Sequence, residues 1–195
     1  MLIRIVVKVL GGVWVIRHKY RATKVNFLKR IYDFLYTYSL KHRGSWIPLS
    51  ATFIGEPCFP HGIYGVFISG GAVIGRNCVI FQHVTIGSNT LIDSKRLGAP
   101  ILGDNCYIGA GAKIIGNVKV GNNVRVGANA VVYKDVPDNC VVTCGTQRVI
   151  QKEQSLNNKF YHKHGGEWVF YDNGGWSKVQ ESDYLSRFDR FFPPN

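Results

Sequence analysis

Two histidines stand where their neighbours give little reason for a titratable side chain. His61 lies in FPHGIYG, at the head of an aliphatic and glycine-rich run, and His83 lies inside that run, in IFQHVTIGSN. An imidazole, with an ordinary pKa of about 6.5, can accept a hydroxyl proton at neutral pH. It can equally well pack at a turn, and residue type alone leaves both roles open. Zinc chemistry of the three-histidine kind needs a third ligand, and residues 47–150 contain only these two histidines. The HKH run at 162–164 stands in a polar tail and reads as solvated. No metal is expected.

What would hold these side chains in place is a repeat of six. An aliphatic residue returns at Ile68, Ile74, Ile80 and Ile86, then at Leu102, Ile108, Ile114, Val120, Val126 and Val132. Two places earlier stands a smaller or aliphatic partner, as in Val66, Ala72, Cys78, Val84, Cys106 and Ala112. This is not the 3.6-residue period of an amphipathic helix, and the recurrent glycine would penalise one heavily. A short strand followed by a tight turn fits, because residues i and i−2 of a strand share one face. Glycine and Asn suit the corners. Three such faces close a coil of 18 residues, and coils stack as parallel strands about 4.8 Å apart. An ordinary β-sandwich with glycine-rich turns would not hold the period over ten positions. The gap from Ile86 to Leu102 breaks the series, so residues of about 88–100, SNTLIDSKRLGAP, are expected to leave the coil as a projecting loop, a usual carrier of function.

The 195 residues suffice for one domain with appendages. A hydrophobic content of 46% against 18% charged residues excludes a largely disordered chain. The net charge of +12 is uneven: residues 1–45 hold ten Lys/Arg against the single Asp33, a local +9, which leaves +3 for the rest. With a near-neutral body and no recognition motif, no nucleic-acid partner is expected. The basic arm, 1–46, contains FLKRIYDFLYTYSLKHR and reads as helical and amphipathic. It would pack on the body or lie on an anionic membrane surface. Arg4 and Lys8 interrupt its apolar start, so neither a membrane span nor a signal peptide is expected. Five cysteines without CxxC spacing suggest reduced thiols and a cytoplasmic location. The tail, 151–195, is aromatic-rich, and WVFY before DNGG predicts a small hairpin or edge strand that caps the open end of the solenoid.

Residues 47–150, with the phrase LGDNCYIGAGAKIIGNVKVGNNVRVGANAVVYKDVPDN, resemble the hexapeptide-repeat acyltransferase superfamily, and within it the serine acetyltransferases and their sugar O-acetyltransferase relatives. The resemblance implies a mainly β protein, a left-handed parallel β-helix assembled as a homotrimer, with acetyl-CoA as co-substrate. PHGIYGVFISG matches the family phrase DHGTGVVIG that carries the catalytic histidine, which implies His61 as general base. His83, one coil plus four residues further on, is the second-choice base or an acceptor ligand flanking the same groove. The acceptor oxygen would attack the thioester directly, with no acyl-enzyme. A pantetheine arm needs an edge of small side chains whose backbone amides it can reach. Gly109, Ala110 and Gly111 in GAGA, and Ala128 in GANA, meet that need, Ala110 and Ala128 being 18 residues apart. Tyr133 and Lys134, in VVYKDVP, match the family position near the pantetheine and phosphate end, and Arg148, in GTQRVI, matches the basic residue after the last coil. A basic side chain suits a phosphate.

Two departures bear on the acceptor. Pro60 stands where the serine acetyltransferases carry Asp, so no carboxylate is identified to orient His61, Glu56 being a weak candidate. The family phrase RHPTLGDN corresponds to GAPILGDN here, which puts Ala99 at the position of an acceptor-contacting histidine. Phrases of the IFQHVTIGSN kind are typical of capsule, exopolysaccharide and lipopolysaccharide acetyltransferases. The expectation is therefore acetylation of a sugar hydroxyl in surface polysaccharide assembly, in the cytoplasm or at the inner face of the membrane. Serine O-acetyltransferase of cysteine synthesis and a non-catalytic structural β-helix are the alternatives.

Overall fold

The computed structural model describes residues 2–91, 93–145, 148–182 and 184–186. The six-residue period closes into a parallel solenoid with three faces. The first face stacks Phe67–Ile68, Thr85–Gly87, Lys113–Ile115 and Val131–Val132, preceded by a bridge from Trp46. The second stacks Thr52–Phe53, Val73–Ile74, Ile101–Leu102 and Lys119–Val120. The third stacks Val79–Ile80, Tyr107–Ile108, Arg125–Val126 and Cys140–Val142, preceded by a bridge from Cys58. Both sequence series point inward, as strand alternation requires. Ile68, Ile74, Ile80, Ile86, Ile108 and Ile114 are buried, and so are Val66, Ala72, Cys78, Val84, Cys106 and Ala112.

Register locates the irregularities. Phe67 pairs with Thr85 at the ideal offset of 18, while Thr85 pairs with Lys113 at 28, so ten residues are inserted between. That insertion is the expected loop, pinched where Asn89 and Gly98 exchange backbone hydrogen bonds of 2.9 Å. Trp46 bridges Phe67 and Cys58 bridges Val79, both at an offset of 21. Three further residues therefore enter the first coil between Cys58 and Phe67, the stretch that carries His61.

The basic arm folds as three helices, α1 (Leu2–Val9), α2 (Val13–Ala22) and α3 (Asn26–Lys41), and closes the first coil. Arg17 of α2 is buried there. Its guanidinium donates to the carbonyls of Pro48 (3.2 Å), Leu49 (3.2 Å) and Ala51 (2.5 Å) and to the Tyr36 hydroxyl (3.2 Å). Tyr36 in turn donates to the Ile47 carbonyl at 2.9 Å. Arg17 thus satisfies the backbone of an otherwise open solenoid end, a task no apolar side chain could perform.

The expected hairpin exists as a three-stranded antiparallel sheet, Tyr161–His164, Glu167–Asp172 and Gly175–Lys178. Its position differs from the expected cap. Val149–Gln151 pairs antiparallel with Cys140–Val142 at the top coil, but the remainder of the tail runs down the third face. Tyr171 donates to the Glu56 carbonyl at 2.7 Å, and Asn158 donates to the carbonyls of Asn105 and Val124. The reason is the outer surface of that face: Val79, Phe81 and Tyr107 form an apolar strip that Phe160 and Tyr171 bury. Residues 187–195 of the tail lie outside the described residues. All five cysteines are free thiols, and burial pushes the Cys58 thiol up to about 12.

Candidate active site

The corner joining the third face to the first repeats once per coil. Six residues separate Val79 from Thr85, Tyr107 from Lys113 and Arg125 from Val131, whereas nine separate Cys58 from Phe67. The surplus bulges outward and exposes His61. Counting from the Cys58–Val79 bridge, His61 stands level with Gln82, and the two side chains meet: His61 Nδ1 lies 2.9 Å from Gln82 Oε1. An amide carbonyl can only accept, so Nδ1 carries the hydrogen and Nε2 presents a lone pair. The ring also sits edge-on to Phe81, with centroids 5.4 Å apart. Glu56 does not reach His61. Burial raises its carboxyl pKa, and the side chain that opposes this rise is His18 of α2. The partner orienting His61 is therefore a neutral amide.

His83 lies on the same corner but turns the other way. It takes the left-handed conformation, φ +60°, that Asn fills at other corners, and its amide donates to the Tyr64 carbonyl at 3.0 Å. Its ring stands directly over Gly65, where a Cβ would run into Nδ1. It opens onto a cleft of about 570 Å³ on the first face, lined by Arg43, Tyr64, Phe67, Thr85 and Lys113. Lys113 Nζ donates to the His83 carbonyl at 2.8 Å. The expectation that the two histidines flank one groove is thus corrected. His61 belongs to the third-face side of the corner and His83 to the first-face side.

Above Gln82 in the same column stand Ala110 and Ala128, at offsets of 28 and then 18 residues. Gly109 is required here by close approach, since a Cβ on it would come 2.6 Å from the Ala128 amide nitrogen. The Gly109 amide donates to the Val126 carbonyl and the Gly111 amide to the Gln82 carbonyl. These two are therefore committed to the solenoid and unavailable to a ligand, contrary to the expectation of a whole edge of free amides. Among the described residues, none accepts from the Ala110 or Ala128 amide. Spaced by one coil, those two are the usable donors.

Tyr133 and Lys134 occupy a different corner, between the first and second faces, with the Lys134 ammonium 5.6 Å from the Tyr133 ring centroid. Within one chain they do not join the His61 column. The projecting loop lies at their corner. Arg96 donates to the Asn117 carbonyl (3.1 Å) and to Asp135 Oδ1 (2.7 Å). The Lys119 amide donates to the same carboxylate, and together with Arg96 it holds the Asp135 pKa below the usual range. Arg148 is exposed in the turn after the last coil, where Cys144 Sγ donates to the Ala128 carbonyl at 3.1 Å, at the head of the His61 column. Residues 146 and 147 of that turn lie outside the described residues, as does residue 92 of the loop.

Sequence reasoning missed Gln82, Arg43 and Lys113. Gln82 had a signal. It follows His61 by 21 residues, the register offset of that coil, but the offset is visible only once the three-residue surplus is known. Arg43 comes from the end of the helical arm, which nothing in the repeat could place.

The solenoid, with a histidine and small residues along one corner, fits a bacterial hexapeptide transferase, and the family model for the six-repeat bacterial transferase hexapeptide matches residues 99–134. The serine acetyltransferase of Synechococcus elongatus is 45% identical over 100 residues, 51% of this chain and 40% of that protein. The serine acetyltransferase of Bacillus pumilus is 35% identical over 158 residues, 79% of this chain and 70% of that protein. Among solved structures, Neisseria gonorrhoeae serine acetyltransferase in complex with serine superposes with a TM-score of 0.58 at 26% identity, over 70% of this chain and 54% of that one. A serine acetyltransferase in complex with CoA does so with a TM-score of 0.56 at 25% identity, over 71% and 54%. The chain belongs to the serine acetyltransferase family, with its left-handed parallel β-helix. It spans 40–43% of the length of the Synechococcus elongatus and Mycobacterium tuberculosis enzymes. The expectation of a sugar acceptor in surface polysaccharide assembly is overturned by these matches, which point to the serine enzymes. The substitution of Ala99 and the IFQHVTIGSN phrase do not outweigh similarity that extends over 79% of the chain.

Proposed function

We propose that this chain is an acetyl-CoA-dependent serine O-acetyltransferase with His61 as its general base. The observation that carries the reading is the column at one corner: His61, fixed through Nδ1 by Gln82, below the open amides of Ala110 and Ala128. In this reading the serine hydroxyl gives its proton to His61 Nε2 as its oxygen attacks the thioester carbonyl. The tetrahedral intermediate collapses to O-acetylserine, and the departing CoA thiolate recovers the proton from the imidazolium. No acyl-enzyme is formed. The Ala110 and Ala128 amides suit the amide carbonyls of a pantetheine arm, and Arg148, at the head of the column, suits a phosphate.

A homotrimer belongs to the same reading. Tyr133, Lys134 and the Asn89–Gly98 loop stand one edge away from the His61 column, so each chain presents half of a site on each edge. Packing the loop edge of one copy against the histidine edge of the next would complete it. Reduced cysteines and the use of acetyl-CoA suit a cytoplasmic enzyme.

The test is CoA release, followed with a thiol reagent, from acetyl-CoA with and without L-serine. Serine-dependent release is expected in the wild type. His61→Ala should lower kcat by at least about 100-fold, the usual scale of a general base. Release that is independent of serine, or a His61→Ala rate within a few-fold of wild type, would remove the assignment.

A further inference from the structure

The helical arm has two apolar faces, and among the described residues only one is covered by the solenoid. On α3, Tyr32, Leu35, Tyr36 and Leu40 turn towards the solenoid end. Phe27, Ile31, Phe34 and Tyr38 lie on the opposite side at spacings of four, three and four, and all are exposed, Phe27 at 71% and Phe34 at 57%. At 100° per residue these four fall within a sector of about 60°. Arg30 and Lys41 fall alongside them and are exposed. The only acidic residue of the arm, Asp33, falls about 130° away and accepts from Thr37. The patch continues onto α1: Ile5, Lys8, Tyr38 and His42 line one groove between the helices, and Val9 beyond it is 80% exposed.

We infer that this face is a docking surface for an anionic lipid bilayer, in which Phe27, Ile31, Phe34 and Val9 enter the acyl boundary while Lys8, Arg30 and Lys41 meet the headgroups. Charge decides between occupants. The face carries Lys8, Arg30 and Lys41, and the arm's one carboxylate, Asp33, points away from it, so a second copy of the same face would meet its own charge, whereas an anionic surface complements it. A nucleic acid would take up the charge, but aliphatic Ile31 and Val9 offer it nothing to stack on. Acyl chains accept aliphatic and aromatic groups alike. No helix among the described residues is long and apolar enough to cross a membrane, so the arm would lie in the interface plane.

The experiment is co-sedimentation of the full chain with vesicles of phosphatidylcholine alone and with about 30 mol% phosphatidylglycerol, at low and high salt. Each basic residue near an anionic surface is worth roughly five-fold in partitioning, so binding should rise at least tenfold with phosphatidylglycerol and fall at high salt. The variant Phe27→Ser/Ile31→Ser/Phe34→Ser should keep its thermal melt and lose binding by at least about tenfold, because the apolar term is removed. The variant Arg30→Glu/Lys41→Glu should lose the dependence on phosphatidylglycerol. Three results overturn the inference: no partitioning of wild type, serine variants that bind as wild type does, or serine variants that alter only the oligomeric state. Tighter binding to a DNA duplex, unaffected by the serine variants, would assign the charge to nucleic acid instead. None of these readouts depends on acetyl transfer.

Discussion

Replacing Gln82 by Ala removes the one side-chain hydrogen bond that His61 makes among the described residues. It leaves the solenoid untouched, because the Gln82 carbonyl that receives the Gly111 amide belongs to the backbone. The bond is 2.9 Å long and lies at an exposed corner, so its net worth is that of a neutral hydrogen bond, about 0.5–1.5 kcal/mol. At 1.36 kcal/mol per factor of ten, this corresponds to a loss of about 2–13-fold in kcat/KM. The loss should fall on kcat and not on the KM for acetyl-CoA, since Gln82 aligns the base and does not contact the proposed arm. Imidazole nitrogen shifts should report Nδ1 protonation in wild type and a mixture of tautomers in the variant. Gln82→Glu should restore alignment, and its carboxylate would favour the protonated ring, moving the acid limb of the pH profile to higher pH. An unchanged rate and tautomer in Gln82→Ala would refute the positioning role. A loss as deep as that of His61→Ala would refute it differently, by making Gln82 itself part of the chemistry.

Three other outcomes are expected. Ala99→His restores an imidazole at the acceptor position of the family phrase and should lower the KM for serine about 2–13-fold, one hydrogen bond's worth; an unchanged or higher KM would detach Ala99 from acceptor binding. The lowered pKa of Asp135 means that its contribution is present above the unfolded carboxylate value of about 3.9 and is lost as pH falls through the folded value. Hydrogen exchange around Arg96 and Asn117 should therefore accelerate on acidification in wild type and be insensitive to it in Asp135→Asn, a small effect because the group is exposed. Arg17→Met keeps the apolar stem but removes the bonds to the Tyr36 hydroxyl and to three carbonyls, of which Pro48 keeps the Ala51 amide while Leu49 and Ala51 keep only longer bonds from Arg21, at a cost of about 1–2 kcal/mol. For a chain of this size that lowers Tm by roughly 2–8 °C, and an unchanged Tm would show that Arg21 and water serve those carbonyls instead.

The solenoid was legible because its rule is local. Inward residues at i and i−2, a corner glycine or asparagine, and a return after six residues recur from Val66 to Val132 with one visible break, and every such residue obeys the same geometry. The family phrases around His61, Gly109 and Lys134 were legible for the same reason: they are contiguous strings. The acceptor was misjudged because it was argued from two short phrases, and similarity over most of the chain outweighed them.

By itself the sequence determined the three-faced coil, the helical arm, the hairpin tail and the residues on which chemistry could rest. Only the tertiary structure decided which of them meet. The surplus of three residues between Cys58 and Phe67 is invisible to a period count that begins at Val66, yet it brings His61 level with Gln82, where a plain coil of 18 would set it level with Val79. The Ala110 and Ala128 amides could not be told from those of Gly109 and Gly111 until ladder bonds showed which were already engaged. The tail went to the flank because the third face's apolar strip is assembled from residues 28 apart, Val79 and Tyr107. In a solenoid, register turns distance along the chain into contact. An insertion changes the pairing only across the coil that contains it, and later coils return to an offset of 18 with the local pattern intact.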